Sequence, residues 1–452
     1  MGRQIDALAD FVAHATAADI PAPVRAHARL VLLDTLGVIL AGSRRPEVAA
    51  LWRTLAPTAG QGATLFARGA PRTDPGGAAL LNGIAGRAIE LCEGLRLVSG
   101  QAAAQVLPAA LAMAEAHDRS GQDLLTAFIL GYDAAARLCH AFTPWPLAHQ
   151  NGQACLIAAA AAGARLRGLD GAGISLAMRI AASLVLTPSY TNVVAGATAL
   201  NVAGGMSGLA GVLAPDLAAS GFTAQPDAIE EALSQLVGAG FRPDGLADDL
   251  GSVWHITRNY FRLYACCNPI HPALDALAEV LRQARPRPDQ IDRIECETYR
   301  FAAVMRDPAP ANFFASKYSF PHAAAAVAVR GGAGHAALDD SAVTDPAIAA
   351  LRRRVTITED AAMTARVPDL RPARVTLVLT DGRRVTHAVD SHRGDFRDPF
   401  APAAIRGKFR ALAAEVLTED GVAALERAVD GCDVSGDARG MAALVARHGL
   451  AP

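Results

Sequence analysis

The 452-residue sequence predicts a mainly α protein: a large all-helical bundle domain carrying an inserted, smaller α+β lid domain. Three observations lead there. Apolar residues recur at helical spacing through an alanine- and leucine-rich stretch from Ile5 to about Ala218, β-branched alternation sets in only after about residue 285, and helical periodicity returns from Ala403. The expected boundaries are residues 1–262 for the first part of the helical domain, 263–402 for the lid, and 403–452 for C-terminal helices that rejoin the bundle.

In chain order, IPAPVRAHARLVLLDTLGVILAG and DLLTAFILGYDAAARLCHAF carry the helical period, with Pro21 or Pro23 suited to a first turn. Gly42, Gly131 and Gly168 fall where a helix ends or closely approaches a neighbour. Ile180 to Pro215 holds no charged residue, but Pro188, Asn192, Asn201 and repeated glycines interrupt it, so a buried helical layer is expected rather than a membrane span. RIECETYR, RVTITED and ARVTLVLTDGRRVTHAVD read as strands, with Asp381-Gly382 marking a hairpin, and FPHAAAAVAVRGG and DPAIAALRRRV read as helices between them.

Composition narrows the function classes. The chain is 52% hydrophobic and 19% charged, ample for a core. Its 42 Lys and Arg against 44 Asp and Glu give a net charge of −2 without a basic block, which argues against nucleic-acid binding. The N-terminus lacks the apolar run of a secretory signal, so a cytoplasmic location is expected, with no membrane partner. Seven scattered cysteines read as reduced thiols. Dinucleotide, Walker, HExxH and GxSxG motifs are absent, and neither a cofactor nor a metal is expected.

What remains is a set of polar residues in apolar, glycine-bearing surroundings: Glu90 and Glu93, Gln101, His149, the segment RNYFRLYACCNPIHP, and His322. Such a set suits acid/base chemistry on a small anion. Each residue also has a structural reading. His149 fits equally a carbonyl partner at the start of the CLIAAAAAG helix, His271 the first turn of HPALDALAEV, and Cys266 and Cys267 buried small hydrophobes. Arg258 and Arg262 fit solvated charges as well as carboxylate clamps. Glu90 and Glu93, three apart on an expected helix, share a face and suit pairing with Arg87 or Arg96.

Taken in order, ARLVLLDTLGVILAGS, ALLNGIAGRAIELCEG, HQNGQACLIAAAAAGARLRGLD, RLYACCNPIHPALDA, SKYSFPHAAAAVAVRGG and RGDFRDPFAPAAIRGKFRALA resemble the MmgE/PrpD family over nearly the whole chain, as a divergent member. That family includes 2-methylcitrate dehydratase, cis-aconitate decarboxylase and iminodisuccinate epimerase. The resemblance implies a cofactor-independent lyase or isomerase acting on a small di- or tricarboxylic acid, a helical domain with a smaller α+β lid, an active site between them, and a homodimer.

Several positions depart from the family pattern. A segment that commonly reads His-Ala-Leu-Asp-Phe-Asp-Asp is Arg87 to Glu93 here, so its carboxylates are glutamates. A downstream histidine is replaced by Gln101, and the lysine of a Thr-Lys-Arg-Leu-His run is missing from Thr198 to Ala203. His322 stands where a tyrosine is usual and Arg262 where lysine is common, whereas His149 is kept. These changes argue against strict 2-methylcitrate dehydratase or cis-aconitate decarboxylase activity. The resemblance thus implies His149 and His322 as proton-transfer groups, with His271 and Cys267 as second choices. Arg258, Arg262 and Lys317 would hold carboxylates, and Glu90, Gln101, Asn201 and Tyr264 would complete the substrate site. The rival expectation is a non-catalytic or repurposed polycarboxylate-binding protein that has lost the family's lysine.

Overall fold

The computed structural model describes residues 2–55, 62–434 and 438–450 and is 56% helical, with only small sheets. The chain divides into two compact units. One comprises Met1–Tyr190, Ala199–Asn259 and Ala401–Pro452; the other comprises Thr191–Thr198 and Tyr260–Phe400.

The first unit is a bundle built on small residues. Helix Ala22–Gly42 starts with Pro23 in its first turn, and every residue from Val31 to Gly42 is buried. Helix Gly121–Ala141 is opened by a reciprocal cap in which the Ser120 and Asp123 side chains each accept the other's backbone N–H. Helix Ala154–Arg167 buries all but its two arginines and stops at Gly168, whose φ of 91° relieves the last turn at no steric cost. Backbones come into near contact because side chains at the crossings are absent. A Cβ on Gly163 would lie 1.8 Å from the Gly211 carbonyl oxygen, and one on Gly131 would lie 2.7 Å from the Ala162 methyl. Gly131 is therefore a mid-helix close approach rather than an end.

The charge-free stretch becomes helix Asn201–Ala219. With the turn before it, it is the one segment among the described residues long and apolar enough to cross a membrane, and 56% of its apolar window is buried within the protein. Its glycines explain the burial: a Cβ on Gly205 or Gly208 would meet the Leu80 or Ala79 carbonyl of helix Pro75–Ala85 at 2.5 Å. It packs as a core helix.

The second unit is α+β. Strand Ile291–Thr298 lies between Val355–Glu359, parallel to it, and Ala373–Leu379, antiparallel, with Arg384–Val389 at the edge. The parallel pair requires a long connection, which is helical and includes Phe320–Arg330 and Pro346–Arg352. Asp381-Gly382 does mark a hairpin, but its loop is three residues, Thr380 to Gly382, because Leu379 pairs with Arg383; Gly382, at φ 88°, takes the left-handed position.

The helix crossings make a clear prediction. Gly163→Ala should lower stability by about 1–3 kcal/mol or more, since its methyl has nowhere to go, whereas Gly407→Ala, on a helix face with nothing near, should be neutral or slightly stabilising. Urea unfolding followed by circular dichroism measures both; equal midpoints for the two variants would show that the crossing has slack.

Candidate active site

In the first unit, helix Pro75–Ala85 ends at Gly86 and the chain turns sharply, so the segment Arg87 to Glu93 is not helical. This corrects the expected shared helix face for Glu90 and Glu93. Glu90 sits at φ 50°, a left-handed conformation that a non-glycine residue adopts only under constraint. The constraint is visible: Arg87 donates to the Glu90 carboxylate at 2.8 Å and to the Cys92 sulfur at 2.6 Å, and both charged side chains are buried. Lys408, paired with Asp34 at 2.6 Å, donates to the Leu91 carbonyl at 2.7 Å and pins the same turn.

Glu93 lies at the centre of a separate buried network. It accepts from the Tyr132 hydroxyl at 2.7 Å, the Ala103 amide at 3.0 Å and Asn259 Nδ2 at 3.2 Å, and Asn259 Oδ1 in turn meets His27 Nε2 at 2.9 Å. Burial outweighs these donors and pushes the Glu93 carboxyl up to about 7. Asn259 lies in the polar segment RNYFRLYACCNPIHP noted in the sequence, whereas Tyr132 and His27 were not picked out, since each sits in an otherwise helical, largely apolar stretch.

His149 is 5% exposed and stacks on the Tyr190 ring at 5.6 Å with 12° between planes. Its Nδ1 accepts the Asn151 N–H at 3.2 Å, which places the hydrogen of the neutral ring on Nε2. Burial, reinforced by Arg87 and opposed by Glu90, pushes it down to about 3, so the ring is uncharged at neutral pH. Gln101 precedes helix Ala102–Ala116 without capping it. One turn on, Gln105 reaches both the Gln101 carbonyl at 3.1 Å and Asn151 Oδ1 at 3.3 Å. Asn201 begins the core helix and is 2% exposed. His149, Glu90 and Gln101 thus share one neighbourhood. Arg258 does not: it is exposed at the end of the short helix His255–Arg258, where it helps to depress the pKa values of His140 and His255.

In the second unit His322 is buried in the first turn of helix Phe320–Arg330. Its Nδ1 accepts from Arg352 Nη1 at 3.2 Å, leaving the hydrogen on Nε2, which has no hydrogen-bond partner among the described residues. Burial, with Arg352, Lys317 and Arg330, pushes it down to about 3. Lys317 is fully buried, donates to the Leu338 carbonyl and lies 4.0 Å above the Phe313 ring. Arg262 donates to the Cys266 carbonyl at 3.2 Å and to the Tyr260 hydroxyl at 3.1 Å. Tyr264 donates to Asp275 at 2.8 Å. His271 starts helix His271–Ala284 and bonds the Cys266 carbonyl at 3.0 Å, and the Cys267 amide donates to the Lys317 carbonyl at 2.8 Å. His392, overlooked in the sequence, is fully buried, with Asn268 Nδ2 at 2.7 Å from Nε2 and the Arg393 carbonyl at 3.0 Å from Nδ1. Among the described residues no group of three or more His, Cys, Asp or Glu is placed to hold a metal ion.

Glu93 gives a pH prediction with a definite sign. Its folded pKa lies above its unfolded value of 4.5, so its contribution to stability is present in full below about 4.5 and is lost as pH rises through about 7. Glu93→Gln should therefore gain stability relative to the parent protein as pH goes from 5 to 8, as measured by thermal unfolding; a gap that does not change with pH would place the Glu93 pKa elsewhere.

Two family patterns match the chain: the MmgE/PrpD N-terminal domain over residues 6–238 and the MmgE/PrpD C-terminal domain over residues 264–433. Among curated proteins, the chain is 24% identical to a cis-aconitate decarboxylase-like protein of Aspergillus oryzae, covering 97% of this chain and 96% of that one. It is 24% identical to cis-aconitate decarboxylase of Aspergillus terreus, over 92% of this chain and 90% of the relative. It is 25% identical to cis-aconitate decarboxylase of Homo sapiens, over 88% and 85%. With both family domains matched in order across most of its length, the chain belongs to the MmgE/PrpD family.

Proposed function

We propose that the protein is a lyase or isomerase that removes a proton α to a carboxylate of a small di- or tricarboxylic acid, in a reaction of the dehydratase, decarboxylase or epimerase type, without a metal ion or organic cofactor. The observation that carries this reading is His149, a buried and uncharged imidazole beside the Arg87–Glu90 pair, with its ring plane held by Tyr190. The relatives, cis-aconitate decarboxylase and a protein like it, support the polycarboxylate class.

Ordinary electrostatics connects the geometry to turnover. A carboxylate arriving next to His149 stabilises the imidazolium and raises the ring's proton affinity. The base is therefore weak in the free protein and strengthens when an anionic substrate is bound. Proton uptake at Nδ1 displaces only the long bond from Asn151, a cost of about 1 kcal/mol. His322, whose Nε2–H has no partner among the described residues, is proposed as the second proton-transfer group, and Arg262 and Lys317 as the cations of the second unit. We assign no carboxylate to the exposed Arg258. His271 and Tyr264, each tied to a neighbour, are assigned positioning roles.

Incubation with a panel of di- and tricarboxylates in deuterated water, read by NMR and mass spectrometry, tests the reading. Deuterium at the α carbon of recovered substrate indicates epimerisation, an alkene indicates dehydration, and loss of carbon dioxide indicates decarboxylation. His149→Ala should lower turnover by about a hundredfold or more. A folded protein that binds polycarboxylates saturably and transforms none of them would instead be the binding descendant.

A further inference from the structure

In the second unit, helix Pro346–Arg352 packs on helix Phe320–Arg330 and sets its last residue against the His322 ring. His322 is held in the first turn by its own N–H, which donates to the Ser319 hydroxyl at 3.1 Å, and the residue is 0% exposed. Arg352 directs one guanidinium nitrogen, Nη1, at two acceptors, His322 Nδ1 and the Val343 carbonyl, each at 3.2 Å. A guanidinium offers hydrogens and no acceptor, so the sense of the ring contact is fixed: Arg352 donates and Nδ1 accepts. No carboxylate pairs with Arg352 among the described residues; Asp345, which caps the start of the same helix, pairs with Arg330 at 3.2 Å instead. The imidazole, not an acid, is what this arginine holds.

The contact closes one direction of proton transfer. Nε2 already carries the hydrogen, and protonation at Nδ1 would have to break the Arg352 bond and set an imidazolium against a guanidinium. Lys317 and Arg330 act on His322 in the same sense, and Arg353 acts with Arg352; the acid among these groups, Asp307, acts on Arg352. Donation from Nε2 is favoured by the same charges, since negative charge left on the ring meets Arg352 at Nδ1. That donor is buried and has no partner among the described residues. We propose that Arg352 is the positioning residue of His322: by donating to Nδ1 it commits the ring to the Nε2–H tautomer, so that His322 gives a proton and does not take one. The Nε2–H bond breaks as its proton passes to the substrate atom on which negative charge develops, the electron pair stays on the ring, and water afterwards returns the proton. The accepting role then falls to another group, His149 in the proposed reaction. This rests on reading His322 as a proton-transfer group.

Full-length protein labelled with nitrogen-15 in its histidine rings tests this by NMR, the His322 signals being identified by their loss in His322→Gln. In the parent protein Nδ1 should resonate as a bare nitrogen and Nε2 as a protonated one, with no imidazolium forming between pH 8 and pH 5. Arg352→Met should admit the Nδ1–H tautomer or imidazolium within that range, whereas Arg352→Lys should keep the parent tautomer with a moved Nδ1 shift, because the donor has changed. On any acid the protein turns over, Arg352→Met should lower kcat by about tenfold or more with KM within about threefold. A parent ring with its hydrogen on Nδ1, an imidazolium at pH 7, a spectrum that Arg352→Met leaves unchanged, or an unchanged kcat overturns the proposal. Should Arg352→Met fail to fold by circular dichroism, Arg352→Lys decides, since an Nδ1 shift unmoved by that substitution also overturns it. The same spectra keep the two readings apart. A tautomer set by Arg352 in a protein that transforms no acid leaves the positioning standing and removes the reaction; deuterium exchange into substrate by a protein whose tautomer ignores Arg352 does the reverse.

Discussion

The first unit depends on how closely its helix backbones approach one another. Where Gly163 meets Gly211, and Gly205 and Gly208 meet Leu80 and Ala79, main chain packs directly on main chain. Contact at that range excludes solvent, so every polar side chain between the helices must find its partner inside the protein. The Glu93 network, the Lys408–Asp34 pair and the Gln105 amide hub are the polar groups this packing forces inward. Their strength and their perturbed acidities follow from the same exclusion of water.

That exclusion also sets the charge state of the candidate chemistry. His149 and His322 both lose their charge to burial among cations, and in both a donor on Nδ1 leaves the hydrogen on Nε2. Glu93 moves in the opposite sense for the same reason, since desolvation always favours the uncharged form. The first unit thus sets carboxamides and the mutually paired Arg87 and Glu90 around His149, whereas the second holds the buried cations Arg262 and Lys317.

Much of this was legible from residue pattern. The switch from a 3.6-residue to a two-residue period located the sheet of the second unit, because β-branched runs such as ARVTLVL leave little ambiguity, and Gly168 ended its helix as its position suggested. The Arg87 to Glu93 turn was misread as helix, since its constraint comes from Lys408 and from the Arg87 pairings rather than from local propensity. Among site residues, histidines in apolar surroundings drew notice, but Gln105, Asn151 and Arg352 did not. None of them carries a periodicity signal, and the importance of each lies in the atom it bonds, which only the fold decides. Arg258 went the other way: a guanidinium in a polar segment looked like a clamp, yet three-dimensional placement left it in solvent.

The Asp34–Lys408 pair has a consequence for how the chain is made. Asp34 is wholly buried on a helix that emerges early from the ribosome, and its cation belongs to helix Pro402–Ala413, which emerges near the end. Until then the Ala22–Gly42 helix lacks both its counterion and the late helix that covers it. The nascent chain must therefore keep an apolar helix that still awaits its late cation and cover from committing to a wrong partner while the entire second unit is synthesised. The ion pair thereby acts as a closing latch on biosynthesis, completing the first unit only when almost all of the chain has left the ribosome.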